Sequence, residues 1–250
     1  MVWEYIRYGW KLYRENIMSF ILAEALVSII VGTIALIGIR TLYGSIGIST
    51  IMMLFDLEGF LLRIGTILPY LADLGIALIF FLMAGLIWIF LNVGIYGMAA
   101  ESLRGKTKLR TMFRVSKTMG SRGILTSILV GILFVLLLIL VITLGKIFSI
   151  IGLVVGTILF VMIMTFFSLI FPGIVVDDLG VIKTINKSII IVKNNYLKAL
   201  GLLLFYGIIS VGLLLIPIFG SILSSLIISF VISPMMSISL VVFYKRNKFT

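Results

Sequence analysis

Glu24 is the deepest ionisable residue in the apolar stretches of this sequence, and its surroundings decide what chemistry the chain could do. At a rise of ~1.5 Å per helical residue, it lies roughly 10 Å beyond Ile17, where the first apolar stretch begins. A carboxyl group in lipid is costly. It therefore marks either a proton or ion pathway or a protonated side chain that joins helices through hydrogen bonds.

Polar side chains occur at a similar depth in other apolar stretches, judged from the number of helical residues to the nearer end of each stretch. The predicted intramembrane polar layer consists of Glu24, Asn92, Tyr96, Ser168 and Tyr206. We expect the buried acid to hydrogen-bond with Asn92, Ser168 or Tyr206. Because the layer holds one acid and no basic partner, a structural role is favoured over a transport site.

The residue types that carry most catalytic and metal chemistry are missing from the sequence. It contains no Cys, which excludes thiolate and disulfide chemistry, and no His, which removes the commonest metal ligand and neutral-pH general base. The adjacent acids Asp177 and Asp178 precede a predicted helix, and capping of that helix is favoured over an ion site. We expect no catalytic residue, no metal and no cofactor, and therefore a protein that is not an enzyme.

Composition identifies the environment in which these residues act. The 250 residues are 62% hydrophobic and 12% charged, with a mean hydropathy of +1.33. Soluble domains are about half apolar and about one quarter charged, so this is an integral membrane protein. The net charge of +11 then indicates anionic membrane lipid as a partner rather than nucleic acid.

Two basic amphipathic helices share one pattern and precede apolar stretches. Apolar residues recur every three or four positions in each helix, which places them on one face. The matched positions are Val2, Ile6, Trp10 and Tyr13 near the start, and Val181, Ile185, Ile189 and Val192 later; Asn16 and Asn195 follow in the same register. Residues 105–122 form a weaker third copy. We expect Trp3, Trp10 and Tyr13 to lie at the level of the lipid headgroups.

The apolar stretches are long enough to cross a bilayer. We predict six spans, at approximately residues 17–39, 76–100, 123–145, 148–175, 198–218 and 221–244. The predicted fold is all-α: a polytopic membrane protein with three pseudo-repeats, each an amphipathic cytoplasmic helix plus a transmembrane hairpin. The repeat units cover about 1–100, 101–176 and 177–250 of a single domain, 1–250. Within residues 40–75 we expect interfacial helices.

Basic residues orient the predicted bundle. Six spans place both termini on one side, and that side holds all of the 20 basic residues except Arg40, Arg63 and Lys146. The positive-inside rule places this side, with both termini, in the cytoplasm of a multi-pass protein of the cell membrane. The candidate ligands of anionic headgroups are Arg7, Lys11, Arg14, Arg110, Arg114, Lys117, Lys183, Lys187 and Lys193. Lipid binding and simple bracing of the hairpins both remain open for these helices.

Small residues at four-residue spacing indicate close packing of helices. The predicted packing residues are Gly152, Gly156, Ser225, Ser229 and Ser233. A polar pore lining is the alternative for the serines. Pro234 is expected to kink the last span and to free a carbonyl group that Ser hydroxyls satisfy.

Several short segments of the sequence resemble those of a known family. They are Pro172-Gly-Ile-Val-Val-Asp-Asp, a Lys-rich helix with Ser188, Asn194-Asn195-Tyr196, residues 8–16 and Leu103-Arg-Gly105. With them the chain resembles prokaryotic six-span proteins of unassigned function, grouped near the membrane domain of glycerophosphoryl diester phosphodiesterases. The resemblance implies a six-helix membrane module. The phosphodiesterase barrel is missing, and without His its catalytic pair is missing too, so no activity is implied.

These observations favour a non-enzymatic, lipid-associated scaffold or accessory subunit whose basic helices bind the inner leaflet. The alternative is a small transporter or channel that uses the polar layer around Glu24. A protein partner or a second copy of the chain is compatible with either function.

Overall fold

The computed structural model describes residues 2–45, 71–215 and 220–249, and all regular secondary structure in these ranges is helical. The elements are α1 (Val2–Glu15), α2 (Ile17–Ser45), α3 (Leu71–Ser102), α4 (Leu109–Thr165), α5 (Ile170–Asp177), α6 (Val181–Asn194), α7 (Tyr196–Leu215), α8 (Gly220–Ile227), a π-helix (Ile228–Ile232) and α9 (Ser233–Asn247). The all-α prediction is confirmed. The predicted turn at Pro217 and most of the predicted interfacial segment 40–75 lie outside the described residues.

Within the described residues, five helical stretches are long and apolar enough to cross a membrane. They are Ile17–Leu42, Ala72–Ser102, Leu109–Asp177, Tyr196–Leu215 and Ile222–Asn247. A chain with several such helices is a multi-pass membrane protein. The third stretch has 69 residues, more than twice the ~20 that one crossing requires.

The long helix α4 reverses direction at Ser149, whose backbone is non-helical (φ 56°, ψ −138°). The arm 109–148 and the arm 150–165 then lie side by side. A Cβ on Gly156 would lie 3.1 Å from the Cα of Val141, and one on Gly152 would overlap the carbonyl group of Leu144. Glycine at these two positions therefore lets the arms approach closely. The turn predicted at Gly145-Lys146 occurs a few residues later, since the helix continues through both.

The chain forms two compact units. One consists of Met1–Ala25 and Ile89–Thr250, and the other of Leu26–Trp88. In the second unit α2 contacts α3, because a Cβ on Gly38 would lie 3.1 Å from the Cβ of Phe80. Ala77 and Ala84 are buried there. Small side chains thus set the close approach of these two helices.

In the first unit, α1 packs along α9. Its buried residues are Tyr5, Ile6, Gly9, Leu12 and Tyr13, and a Cβ on Gly9 would overlap the hydroxyl group of Ser239. Of the apolar face that the sequence identified, Ile6 and Tyr13 pack against protein, whereas Trp10 is 46% exposed. Tyr13 is therefore covered by protein, whereas Trp3 and Trp10 remain exposed and can contact headgroups. Close contact with α9 requires a small residue, so Gly9 and its neighbours face α9 and the bulky Trp10 does not.

The face of α6 that packs on protein is not the apolar face that the sequence identified. Thr184, Ser188, Ile191 and Val192 are buried, while the predicted Val181, Ile185 and Ile189 are half-buried. The reason is a hydrogen-bonded contact. Ser188 donates to the carbonyl oxygen of Phe166 at 2.6 Å and accepts from the backbone N–H of Leu169 at 3.3 Å. The polar side of α6 therefore covers the turn 166–169, where the backbone needs partners.

The helix junctions at Asn16 and Asn195 have matching hydrogen bonds. Each backbone N–H donates to a carbonyl three residues earlier at 3.0 Å. Each side-chain amide donates to a carbonyl four residues earlier, at 3.0 Å for Asn16 and 3.4 Å for Asn195. The carbonyl of each Asn then accepts from a residue of the following helix, at 3.2 Å from Phe20 and 3.0 Å from Ala199.

The basic segment 105–122 has a different geometry. From Leu109 it is part of α4 and continues into the apolar arm without a junction. It packs on α3 through small residues, since a Cβ on Gly97 would come within 2.7 Å of Val115 and one on Gly94 would meet Met112 and Ser116. Unlike α1 and α6, this segment is therefore not a separate helix, and glycines of α3 let it pack closely on the bundle.

Candidate functional site

The last membrane stretch is interrupted at the π-helix that precedes Pro234. Proline has no N–H and clashes with the carbonyl group four residues earlier, here that of Phe230. The hydroxyl group of Tyr13 donates to this carbonyl oxygen at 2.7 Å. Burial, with a smaller contribution from Glu24, raises the pKa of Tyr13, which keeps the hydroxyl protonated and able to donate. The sequence predicted that Pro234 would free a carbonyl group, but the expected hydrogen-bond donor to that group was a serine hydroxyl.

Glu24 lies beside the same interruption. Its side chain is buried, and its Oε1 accepts a hydrogen bond from Ser233 at 3.1 Å. The predicted partners Asn92, Ser168 and Tyr206 were therefore wrong. None of these three residues lies on the last membrane stretch, whereas the acid faces Ser233 at the interruption in that stretch.

The other members of the predicted layer bind elsewhere. Tyr206 is buried and shares a hydrogen bond of 2.7 Å with Ser239. Tyr96 is buried beside Ser237 and its ring lies 5.3 Å from that of Phe171. Asn92 is half-buried on α3. Tyr206 and Tyr96 thus contact serines of α9, and Tyr96 and Ser168 line one cavity, so the structure brings the predicted layer together only in part.

The serines of the last stretch do not form one continuous stripe. Ser225 is exposed, whereas its neighbour Ser224 is buried and donates to the carbonyl oxygen of Leu213 at 2.7 Å. Ser229 and Ser233 are half-buried. The contact to α7 thus comes from a serine outside the predicted set, and further along the stretch the π-helix breaks the four-residue spacing. The position of Pro234 was the sequence signal for this change.

A second interruption lies at the turn 166–169, between α4 and α5. Pro172 cannot donate to the carbonyl group of Ser168, four residues earlier. The hydroxyl oxygen of Ser168 is buried without a hydrogen-bond partner among the described residues. Ser168 also lines a cavity of about 390 Å³ whose other lining includes Phe171, Leu203 and Leu240. This cavity is almost entirely apolar and is called the apolar cavity below.

Hydrogen bonds and ion pairs bring the basic segments together at one end of the first unit. Asn16 accepts from the backbone N–H of Thr107 at 2.8 Å, and Arg246 lies 3.9 Å from Glu4. We call this region, formed by residues 2–16, 101–122, 177–198 and 245–249, the basic end. Charges far apart in the sequence thus share one surface.

Asp177 joins three parts of the basic end. Its carboxylate accepts from Lys187 at 2.6 Å, from Lys248 at 2.6 Å and from Tyr244 at 2.9 Å. The N-cap residue of α6 is Gly180, and no side chain caps that helix. The capping role predicted for the Asp177-Asp178 pair is therefore wrong. Asp178 instead forms an ion pair with Arg122.

Most of the predicted headgroup ligands are exposed at this end. The exposed ones are Arg7, Lys11, Arg14, Arg110, Arg114, Lys117, Lys183 and Lys193. Lys187 differs, because it is half-buried and bound to Asp177. Exposed cations near a membrane surface attract anionic lipid.

A polar pocket of about 390 Å³ lies in the basic end, and its lining includes Glu101, Arg104, Arg114 and Lys245. Glu101 accepts from Thr107 at 2.8 Å and from Thr111 at 2.5 Å, with Arg114 3.4 Å away. Arg104 and Lys245 are exposed and form no ion pair with any described residue. We call this the basic pocket. Sequence reasoning did not single out Arg104 or Lys245, because only the fold brings them together.

Comparison with protein families, with curated proteins and with solved structures found no match for this chain.

Proposed function

We propose that this protein is a non-enzymatic membrane protein that binds anionic lipid headgroups through its basic end and acts as a scaffold or accessory subunit. One observation carries the proposal: exposed cations from three separate parts of the chain share one surface. Each basic residue near an anionic surface contributes about 1 kcal/mol of attraction at low salt. Eight such side chains are sufficient for a stable preference for anionic lipid.

The proposed topology has six spans with both termini in the cytoplasm. The five apolar stretches and the reversal at Ser149 support this count, since the reversal divides the longest stretch into two crossings. The matching junctions at Asn16 and Asn195 support a repeated unit of amphipathic helix plus hairpin. The segment 105–122 would be a divergent middle copy. The basic end then faces the cytoplasm of the cell membrane by the positive-inside rule.

Tryptophan fluorescence tests the lipid proposal, because Trp3 and Trp10 are exposed on α1. The protein is reconstituted with brominated phosphatidylglycerol or brominated phosphatidylcholine, and quenching by the two lipids is compared. Trp88 is changed to Phe so that the tryptophan fluorescence comes only from Trp3 and Trp10 of α1. We expect stronger quenching by the anionic lipid, and we expect salt to weaken this preference.

The variant that tests charge carries Arg7→Gln, Lys11→Gln and Arg14→Gln, and its matched control carries Arg40→Gln, Arg63→Gln and Lys146→Gln. The triple change should remove most of the preference for phosphatidylglycerol, and the control should retain it. A preference that is absent, or that is independent of both salt and these charges, would leave the basic helices with a bracing role alone.

A small transporter or channel is the second candidate function. Two membrane stretches are interrupted, at residues 166–169 and at the π-helix, and a buried acid lies at the second interruption. Interrupted helices with buried polar groups are typical of transporter binding sites. Flux of protons or cations into liposomes that depends on Glu24 would favour this function over a scaffold.

A further inference from the structure

The basic pocket and the apolar cavity lie between the same three helices. On α3, α5 and α9 the apolar cavity is lined by Tyr96, Phe171 and Leu240. Four or five residues further along the same helices, the basic pocket is lined by Ala100, Val175 and Lys245. The two spaces are therefore stacked about one helical turn apart, with the charged one nearer the basic end.

We propose that these two spaces form one binding site for a single anionic phospholipid. Its phosphate binds in the basic pocket and one acyl chain occupies the apolar cavity. This site rests on the proposed function, because it assigns a defined position to one lipid within a general preference for anionic headgroups.

The charges of the basic pocket fit a phosphate. The carboxylate of Glu101 already accepts hydrogen bonds from two threonines and lies beside Arg114. Arg104 and Lys245, which have no carboxylate partner among the described residues, leave the pocket positively charged. The guanidinium group of Arg104 can donate two parallel hydrogen bonds to phosphate oxygens, and the ammonium group of Lys245 acts as a point charge.

The lining of the apolar cavity fits a hydrocarbon chain. Apart from Tyr96, Thr165 and Ser168, its walls are aliphatic, aromatic and methionine side chains. Those walls belong to stretches apolar enough to span the membrane. A soluble anion has no group to fill such a space, whereas a phospholipid presents its charge and its chain at this short separation.

Native mass spectrometry of the full chain in detergent tests the site. The probes are dioleoyl phosphatidylglycerol, dioleoyl phosphatidylcholine, dihexanoyl phosphatidylglycerol and inorganic phosphate. We expect one dioleoyl phosphatidylglycerol to bind at low concentration, ahead of weaker additional lipids. Equal affinity for inorganic phosphate or for the short-chain lipid would overturn the acyl-chain half of the proposal.

Matched variants separate this site from general attraction. The change Arg104→Gln with Lys245→Gln should weaken the first binding event about thirtyfold. The control, Lys106→Gln with Lys108→Gln, removes the same charge from two exposed side chains outside the pocket and should change it less than about twofold, since exposed charges are screened. Equal losses in both would refute the site but leave the proposed function intact. Absence of any preference for anionic lipid would refute both.

The cavity is tested by filling it. Val161→Phe, or Leu203→Phe as a second variant, should weaken binding of the dioleoyl lipid and leave binding of the dihexanoyl lipid unchanged. Thermal unfolding identifies a variant that does not fold, and the other variant then decides. If a folded, filled variant binds the long-chain lipid like the wild type, the chain does not occupy the apolar cavity.

Discussion

Tyr13 donates its hydroxyl hydrogen to the carbonyl oxygen of Phe230 at 2.7 Å, which joins the first helix of the chain to the interruption in its last membrane stretch. Pro234 has removed the usual backbone donor of that carbonyl. The N-terminal helix α1 therefore supplies the missing hydrogen bond. In lipid, where water cannot replace it, such a partner stabilises the interrupted helix.

The change Tyr13→Phe should lower the free energy of unfolding in detergent by about 1 kcal/mol, because it leaves a buried carbonyl without a donor. Tyr8→Phe is the matched control. The ring of Tyr8, which lies 5.5 Å from Arg246, remains in that variant. Thermal unfolding followed by circular dichroism measures both. Equal stability of the two variants would show that the Phe230 carbonyl finds another donor.

Substitutions of Glu24 separate a structural from a transport role. Glu24→Gln keeps an oxygen that can accept from Ser233, so we expect nearly unchanged thermal stability. Glu24→Leu removes the acceptor and should lower the stability by about 1 kcal/mol. If the protein transports protons or cations, Glu24→Gln should also abolish a pH-dependent flux in liposomes that the wild type shows.

A double-mutant cycle checks the assignment of the partner of Glu24. Ser233→Ala should destabilise the wild type but add little to Glu24→Leu, because residues joined by a hydrogen bond have non-additive effects. Additive losses would mean that Ser233 and Glu24 act independently.

The neighbouring acids Asp177 and Asp178 should respond very differently to neutralisation. The Asp177 side chain is 13% exposed and binds two lysines and a tyrosine, so Asp177→Asn should cost about 2 kcal/mol. The Asp178 side chain is 67% exposed with a single ion pair, so Asp178→Asn should cost less than about 1 kcal/mol. Melting temperatures in detergent measure both. A larger effect at Asp178 would contradict the role assigned to Asp177 as the central acceptor.

Cysteine labelling tests the proposed topology, and the absence of native Cys keeps the background low. A Cys at Lys146, near the reversal, should react with an impermeant maleimide added to intact cells. A Cys at Lys108 or Lys183 should react only after the membrane is opened. Lys187, bound to Asp177, is avoided, and Arg63 lies outside the described residues. Labelling of position 183 in intact cells would contradict the six-span topology.

The elements of this fold were largely predictable from the sequence. Lipid leaves a backbone no partner except itself, so long apolar stretches such as Ile17–Leu42 must be helical. The amphipathic pattern likewise predicted α1 and α6, and their junctions at Asn16 and Asn195 lie where the shared register indicated. These features depend on local composition and spacing, which a sequence contains in full.

Which face of each helix is buried was decided by the tertiary structure. In α6, Val181, Ile185 and Ile189 of the apolar face are half-buried, while Thr184 and Ser188 are buried. Periodicity identifies the face that would be buried if water surrounded the helix. Lipid is as apolar as a protein core, so moving an isoleucine from lipid into the protein gains no hydrophobic free energy. Close approach and backbone hydrogen bonds decide instead, and both depend on the neighbouring helix.

The tertiary structure also determined the partner of Glu24 and the composition of the basic pocket. Depth along a helix located the acid, but the π-turn before Pro234 determined that Ser233 faces it. Arg104 and Lys245 are far apart in the sequence and line one pocket only because α3 and α9 pack together. Hydrophobicity and charge along a chain set which residues enter the membrane, whereas helix breaks and interhelical contacts, which are non-local, set which of them meet.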